Sequence, residues 1–555
     1  MSEQDQAAAE PVPEAALTAS PRRNIVLCSD GTGNAGGKRV GTNVWRLYQA
    51  VDLSGGDQIA FHDDGVGSQD FKLFKALGGA FGWGLSRNIR ELYTSLVRTY
   101  NPGDQIFLFG FSRGAFTVRS LAGLIDAYGV LERRNFPTPK DLEETVACLF
   151  KSYRRKEQNA VETAKAAAVE AGNEFHTAEI TFLGVWDTVD AVGVPMDWLR
   201  DVLRSWLPVR THRHDLNKSI CRAYHALAVD DERRTFSPVM LDETKLAEGG
   251  EVEQVWFAGV HSNVGGGYPK DGMARVSLDW MMAKAEALTV PLRFAADQRA
   301  GYGREANVYD RLYDSRAGVA AYYRVGARDI AALCASASAP VRIHESVFRR
   351  IRSRTGGYAP INIPGDYHVI ATSSDYPPVQ GREPERLRMT RLAFALGHWR
   401  RGLYRALLGL TVVLALVVIA LGVVPVEPLK GFGWVGGVAG FLLPDLAASF
   451  LGPLLSQPDG LAVFVGLFGA LFWLRGLLKV ASRDVASIGW RLAFLRRQTP
   501  EANALEALIK QLGEAPGRAI RWSLGRVGRR RWLLLFGFLV VFAVGLGSCL
   551  YRFMN

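Results

Sequence analysis

Paired cysteines are missing from this 555-residue chain: Cys28, Cys148, Cys221, Cys334 and Cys549 are scattered and form no C-x-x-C. That spacing argues against both a disulfide framework and a zinc site and fits a reducing compartment. The opening stretch, MSEQDQAAAEPVPEAALTASPRR, lacks a charged start followed by an apolar run. No secretory leader is therefore expected, and its Ala, Pro and Glu content predicts a disordered tail over residues 1–23. A P-loop is lacking too, because Lys38 is followed by Arg39. Gly31, Gly33 and Gly36 match G-x-G-x-x-G, but GGKRVGTN keeps the chain in loop until about Asn43. A dinucleotide site needs a helix opening at those glycines, so that reading is set aside. No internal repeat is present.

What the chain has in excess is positive charge, a net +11 that is concentrated in its C-terminal third. The arginines there flank long apolar runs, a pattern that points to a bilayer and not to nucleic acid. Apolar runs at about 407–424, 460–480 (uncharged from Gly460 to Leu474, and extending to Val480 with Arg475 at the interface) and 532–551 approach the roughly 20 residues needed to cross a hydrocarbon core. Residues 381–406, with Arg386, Arg388, Arg391, Arg400, Arg401 and Arg405, read as a basic juxtamembrane segment, and 407–555 as a transmembrane region. The apolar stretch 431–455 carries Pro444 and Asp445 and reads as an interfacial or re-entrant segment. Arg and Lys crowd the approach to the first span and the segment between the second and third, whereas the loop between the first two has only Lys430. The positive-inside rule then predicts a multi-pass inner-membrane protein with its large N-terminal domain facing the cytoplasm.

Between Asn24 and about Val290, short apolar runs alternate with helical stretches, which predicts an α/β fold with a mostly parallel sheet and helices on both faces. The strand candidates are NIVLCS, QIAFH, QIFLFG, ITFLGVW and VWFAGV; an Ala-, Lys- and Glu-rich helical insertion covers Asp141 to Glu174. YYRVGARDI and VRIHESVFRRI read as further elements of the same domain, which extends over 24–380.

Within this domain, FGFSRGAFTVRS places Ser112 in G-x-S-x-G between a strand and a helix. This is the sequence of a nucleophile elbow, where small residues two positions either side let strand and helix approach. A nucleophilic serine needs a base and an orienting carboxylate. Asp187 follows the strand ITFLGVW, with Asp190 as its neighbour and rival, and His261 follows VWFAGV, before Gly265, Gly266 and Gly267. The order Ser, Asp, His is that of α/β-hydrolases. Donors for a developing oxyanion are expected from the backbone N–H of Arg113 and from the glycine loop SDGTGN, at Gly31 and Thr32. The aspartates of HDDGVG suit a metal or, equally, plain turn chemistry.

SDGTGN, HDDGVG, GGAFGWGL, PGDQIFLFGFSRGAFTVRSLAG, WDTV, DERRTF and WFAGVHSNVGGGY, in this order, resemble the α/β-hydrolases that include the type VI secretion phospholipase effectors of the first lipase class. The resemblance covers roughly Asn24 to Asp366. It implies a serine hydrolase of lipid esters with Ser112, Asp187 and His261 as triad, needing no cofactor and no metal, and a membrane lipid or lipid ester as substrate. The chain departs from the family at Cys28-Ser29, where aromatic or apolar residues are usual, and at Asn263, where Asp is common; the second change bears on how the histidine loop is held. A reading from another class is a membrane scaffold or regulator whose hydrolase-like domain binds a ligand without turnover.

Overall fold

A computed structural model describes residues 22–31, 41–64, 79–155, 158–189, 219–244, 249–317, 323–371, 383–420, 458–495, 499–513, 515–526 and 529–554. The tail 1–21, Thr32, Asp190 and the stretch 431–455 lie outside the described residues.

Among the described residues ten strands run in chain order: β1 (Asn24–Ser29), β2 (Gln58–Asp63), β3 (Gln105–Phe111), β4 (Val130–Leu131), β5 (Phe175–His176), β6 (Ile180–Trp186), β7 (Arg222–Ala228), β8 (Glu251–Phe257), β9 (Arg342–His344) and β10 (His368–Ile370). Eight of them form one sheet in the order β10-β9-β8-β7-β6-β3-β1-β2, every pair parallel. β4 and β5 make a separate antiparallel pair. Strands buried on both faces read as continuous apolar runs, and NIVLCS is buried at all six positions. The chain reverses its winding at β1, which has β2 on one side and β3 on the other. Ligands of open parallel sheets bind beyond the carboxyl ends of the strands at such a switch point. The G-x-S-x-G turn follows β3 there.

One apolar layer packs the helices Gly79–Thr99 and Arg113–Tyr128 against the sheet, through Leu92, Leu96, Leu121 and Ile125. The opposite layer joins the helices Asn43–Ala50 and Gly272–Glu286 to Phe109, Phe182 and Trp186. The expected insertion is a pair of helices, Pro139–Tyr153 and Gln158–Glu170, and the first carries a capping box at Thr138 and Asp141.

The sequence pattern missed β7. RAYHALA lacks a run of large aliphatics, yet six of its seven residues are buried and His225 is wholly enclosed. Its ring nitrogens are within 3.2 Å of the Thr188 N–H and of Gln254 Oε1, so internal hydrogen bonding compensates for the polar side chain. VRIHESVFRRI divides into β9 and the helix Glu345–Ser353.

The C-terminal helices are tied into the domain. The helix Glu383–Ala420 and the helix Pro458–Phe494 pack side by side, and Met389, Leu392, Ala393, Leu396, Val485 and Trp490 share one buried cluster with Ile343, Val347, Phe348 and Ile351 of the sheet edge. Two residues read as juxtamembrane charge therefore face inward. Arg386 is 1% exposed and donates to the carbonyls of Ile363 and Pro364. Arg400, 4% exposed, makes two 2.9 Å bonds to the Glu232 carboxylate. The expected boundary near residue 380 separates segments that share a core.

Among the described residues one helix is long and apolar enough to cross a membrane, Val465–Phe494, and Leu533–Leu546 is a shorter apolar helix. The run 407–424 continues the helix Glu383–Ala420 and leaves the described residues at Ala420.

Candidate active site

Ser112 sits where β3 turns into the helix Arg113–Tyr128, with φ 58° and ψ −119°. Left-handed φ in a side-chain-bearing residue is strained and persists only where the surroundings impose it. The two flanking glycines show what imposes it here. A Cβ on Gly110 would lie 2.6 Å from Ala115 Cα, and one on Gly114 would lie 2.0 Å from the Ser29 carbonyl oxygen. Strand, turn and helix are pressed together, and the serine projects from the apex.

His261 opens the short helix His261–Gly265 after β8. Ser112 Oγ donates to its Nε2 at 2.8 Å, and its Nδ1–H donates to Asp187 Oδ2 at 2.5 Å. The carboxylate thus fixes the tautomer whose free lone pair faces the serine. Asp187 also has φ 39°, immediately after β6. All three residues are buried: Ser112 is 6%, Asp187 0% and His261 5% exposed. The structure thus brings together the three side chains singled out in the sequence.

Further residues hold this arrangement. Arg328 forks onto Asp187, Nη1 to Oδ1 at 2.6 Å and Nη2 to Oδ2 at 2.8 Å, and binds the carbonyls of Ala228 and Phe236. Asp187 Oδ1 accepts a further bond from the Ala228 N–H, at 3.0 Å. Asp231 Oδ2 accepts from the His261 backbone N–H at 3.2 Å, while both its oxygens are engaged by Arg233. Asp230 Oδ2 takes the Gly259 N–H at 2.7 Å and the Tyr358 hydroxyl at 2.8 Å, which fixes the start of the histidine loop. The imidazole lies between the rings of Phe111, at 4.7 Å, and Phe236, edge-on at 5.3 Å.

Asn263 resolves the departure noted in its loop. Its Nδ2 donates to Arg311 O at 3.0 Å and its Oδ1 accepts from the Tyr313 N–H at 3.2 Å. An ionised Asp offers no donor for the first bond, so the amide ties the loop to residues 311–313 in a way a carboxylate does not.

Burial opposes ionisation of Asp187, but the Arg328 charge and the hydrogen bonds from His261 and Arg328 outweigh it and hold the carboxyl well below the usual range. For His261 burial dominates: despite the opposing pull of Asp187, its pKa is lowered from 6.5. The ring is therefore neutral at pH 7 and able to accept a proton. Burial pushes Asp230 up to about 6, in spite of its two hydrogen-bond donors.

The proposed oxyanion donors are placed unevenly. Arg113 N–H heads the helix Arg113–Tyr128, where the helix dipole is positive. Gly31 N–H donates to Asp30 Oδ1 at 2.6 Å, so in this conformation it is aimed at that carboxylate. Asp30 also accepts from Thr42 Oγ1 at 2.6 Å. Asp63 of HDDGVG accepts from Ser29 Oγ and Asn88 Nδ2, and no group of three His, Cys, Asp or Glu side chains suited to a metal occurs among the described residues.

Residues 23–284 match the family model described as T6SS, phospholipase effector Tle1-like, catalytic domain. Over that segment the chain is similar to this family. Ser112, Asp187 and His261 all lie inside it, whereas Arg328 lies beyond it. Over 238 residues the chain is 30% identical to an uncharacterized protein of Saccharomyces cerevisiae, covering 39% of this chain and 32% of that relative. The chain thus spans about a third of the curated relative's length. Among solved structures, that of the Tle1 effector bound to the VgrG spike from the Type 6 secretion system is 17% identical, with a TM-score of 0.28 over 48% of this chain and 56% of that one. An uncharacterized protein from Pseudomonas aeruginosa is 15% identical, with a TM-score of 0.33 over 90% and 77%.

Sequence reasoning missed Arg328, Asp231 and Asp230 as supports of the site. DERRTF was visible as a motif, but only the folded chain puts Asp231 under His261. Arg328 sits in GARDI, an unremarkable stretch, 141 positions from Asp187.

Proposed function

We propose that the Tle1-like domain is a serine hydrolase of lipid acyl esters, and the observation that carries this is the Ser112–His261–Asp187 chain of hydrogen bonds on a strained elbow. Ser112 Oγ attacks the ester carbonyl carbon as His261 Nε2 takes its proton. The tetrahedral oxyanion collapses with loss of the alcohol, to which His261 returns the proton. Water, activated by the same nitrogen, then releases the acid from the acyl-enzyme. Asp187 holds the imidazole and supports its transient charge. Arg113 N–H serves as one oxyanion donor, and the Gly31 N–H, once released from Asp30 Oδ1, or the Thr32 N–H supplies the second. No cofactor enters this scheme.

The apolar C-terminal runs anchor the protein in the inner membrane with the catalytic domain on the cytoplasmic side, which keeps the ester substrate within reach of a bilayer. The chain's arginine distribution and the helix Val465–Phe494 support this part. Resistance of the full chain to alkaline carbonate extraction tests the anchoring.

The chemistry is tested by a fluorophosphonate probe on the detergent-solubilised full chain. Labelling at Ser112, absent from Ser112→Ala and strongly reduced in His261→Ala, is the expected result. An intact fold that takes up no label refutes an activated serine and favours the ligand-binding scaffold.

A further inference from the structure

Next to the arginines that hold the triad, the domain opens a cavity of about 500 Å³ between residues 233–237, residues 326–333 and the helix Glu383–Ala420. Arg233 and Arg328 line it, and both are already neutralised, by Asp231 and Asp187. The same lining carries Arg234, His398 and Arg401, together with apolar Leu333 and Phe394. The carboxylate in the wall, Asp329, is turned to the Ala332 N–H, which it caps at 3.1 Å. Positive charge is in excess here: partial burial, and after it Arg234, Arg324 and Arg405, hold the Arg401 guanidinium below its usual range. Arg401 and Arg405 also lie within two helical turns of Leu407, where the first apolar run begins. That is head-group depth for a helix entering a bilayer.

We propose that this cavity is a second lipid site, distinct from the ester-cleaving centre, which takes the phosphate of an anionic phospholipid between Arg234 and Arg401 and the first carbons of an acyl chain along Leu333 and Phe394. Paired guanidinium groups suit phosphate oxygens by geometry as well as charge. The proposal rests on the membrane reading above, because a bilayer supplies the ligand. An occupant abuts Arg328 and Arg233, so binding at this site is felt by the groups that hold Asp187 and His261.

The test uses the full-length Ser112→Ala protein in neutral detergent, where the ligand is not consumed. Thermal unfolding is followed with short-chain phosphatidylglycerol, with phosphatidylcholine of the same chain length, and with inorganic phosphate. Phosphatidylglycerol is expected to raise the midpoint saturably by several degrees, and the other two by little. Arg234→Gln with Arg401→Gln should abolish the rise, with the lipid-free midpoint retained. In the Ser112-containing background the same pair should leave fluorophosphonate labelling intact. No rise with phosphatidylglycerol, or a rise that survives the double substitution, overturns the site. An equal rise with inorganic phosphate overturns the lipid as its ligand. Extraction by carbonate would refute the anchoring instead, a result read independently of these melts.

Discussion

Removing the Arg328 charge should make His261 more basic, against the ordinary expectation that damage to a triad's support weakens its base. Arg328 and His261 bind the same carboxylate, at 2.6–2.8 Å and 2.5 Å, which puts guanidinium and imidazole roughly 6 Å apart. At an effective dielectric near 20, two unit charges at that distance repel by about 2–3 kcal/mol. The repulsion acts only on the protonated ring, so its loss in Arg328→Met moves the acid limb of the rate profile to higher pH by up to about 2 units. Opening a buried pair also costs about 3–5 kcal/mol of stability. Arg328→Lys is the companion variant: it keeps the charge but loses the fork and the bonds to Ala228 and Phe236, so its rate falls while its acid limb stays in place. The assay is the pH dependence of the second-order rate of fluorophosphonate labelling, with folding followed by circular dichroism. An acid limb that is unmoved, or moved down, in folded Arg328→Met refutes the electrostatic reasoning.

Other outcomes follow from the same geometry. In the wild type, burial lowers the His261 pKa below 6.5; a base is lost on protonation, so labelling should hold level from pH 8 to below 6.5 and decline only under that. Gly114→Ala drives a Cβ into the β1 backbone, 2.0 Å from Ser29 O, and should lower stability by more than about 3 kcal/mol or prevent folding; a normal melting curve would contradict the packing described. Glu232→Gln should destabilise by about 3 kcal/mol, because it strands the buried Arg400, and Arg400→Met by less, because Glu232 is half-buried; the pair together should cost much less than the sum. A thermal-melt cycle showing simple additivity would mean the 2.9 Å pair is not coupled.

The Ser112, Asp187 and His261 arrangement was legible because each of the three follows an apolar run that reads as a strand, and because Gly110 and Gly114 mark a turn that excludes side chains on both sides of Ser112. The sheet was legible for the same reason, except at β10, an edge strand of three residues, and at β7, where Ala, Tyr and a buried His replace aliphatics and only cross-strand hydrogen bonds reveal the strand. Supports such as Arg328 and Asp231 were not legible, since their partners lie far away along the chain and a single Arg or Asp carries no period. The inward-facing Arg386 and Arg400 misled in the opposite direction. Composition sums charge over a segment, but each guanidinium had individual partners: Glu383 and two main-chain carbonyls for Arg386, and Glu232 for Arg400.

The shared core of the two long helices and the sheet edge has a mechanical meaning. Trp490 donates from its indole N–H to Pro360 O at 2.8 Å, with the Arg386 guanidinium 4.5 Å above its ring. Such a joint is a bracket and not a tether, because a flexible linker lets a domain tumble whereas a packed one sets its attitude. The direction in which Ser112 faces is therefore inherited from the axes of these helices. Cutting the chain near residue 380 would release no free-standing domain but strip the covering from Phe348 and Ile351.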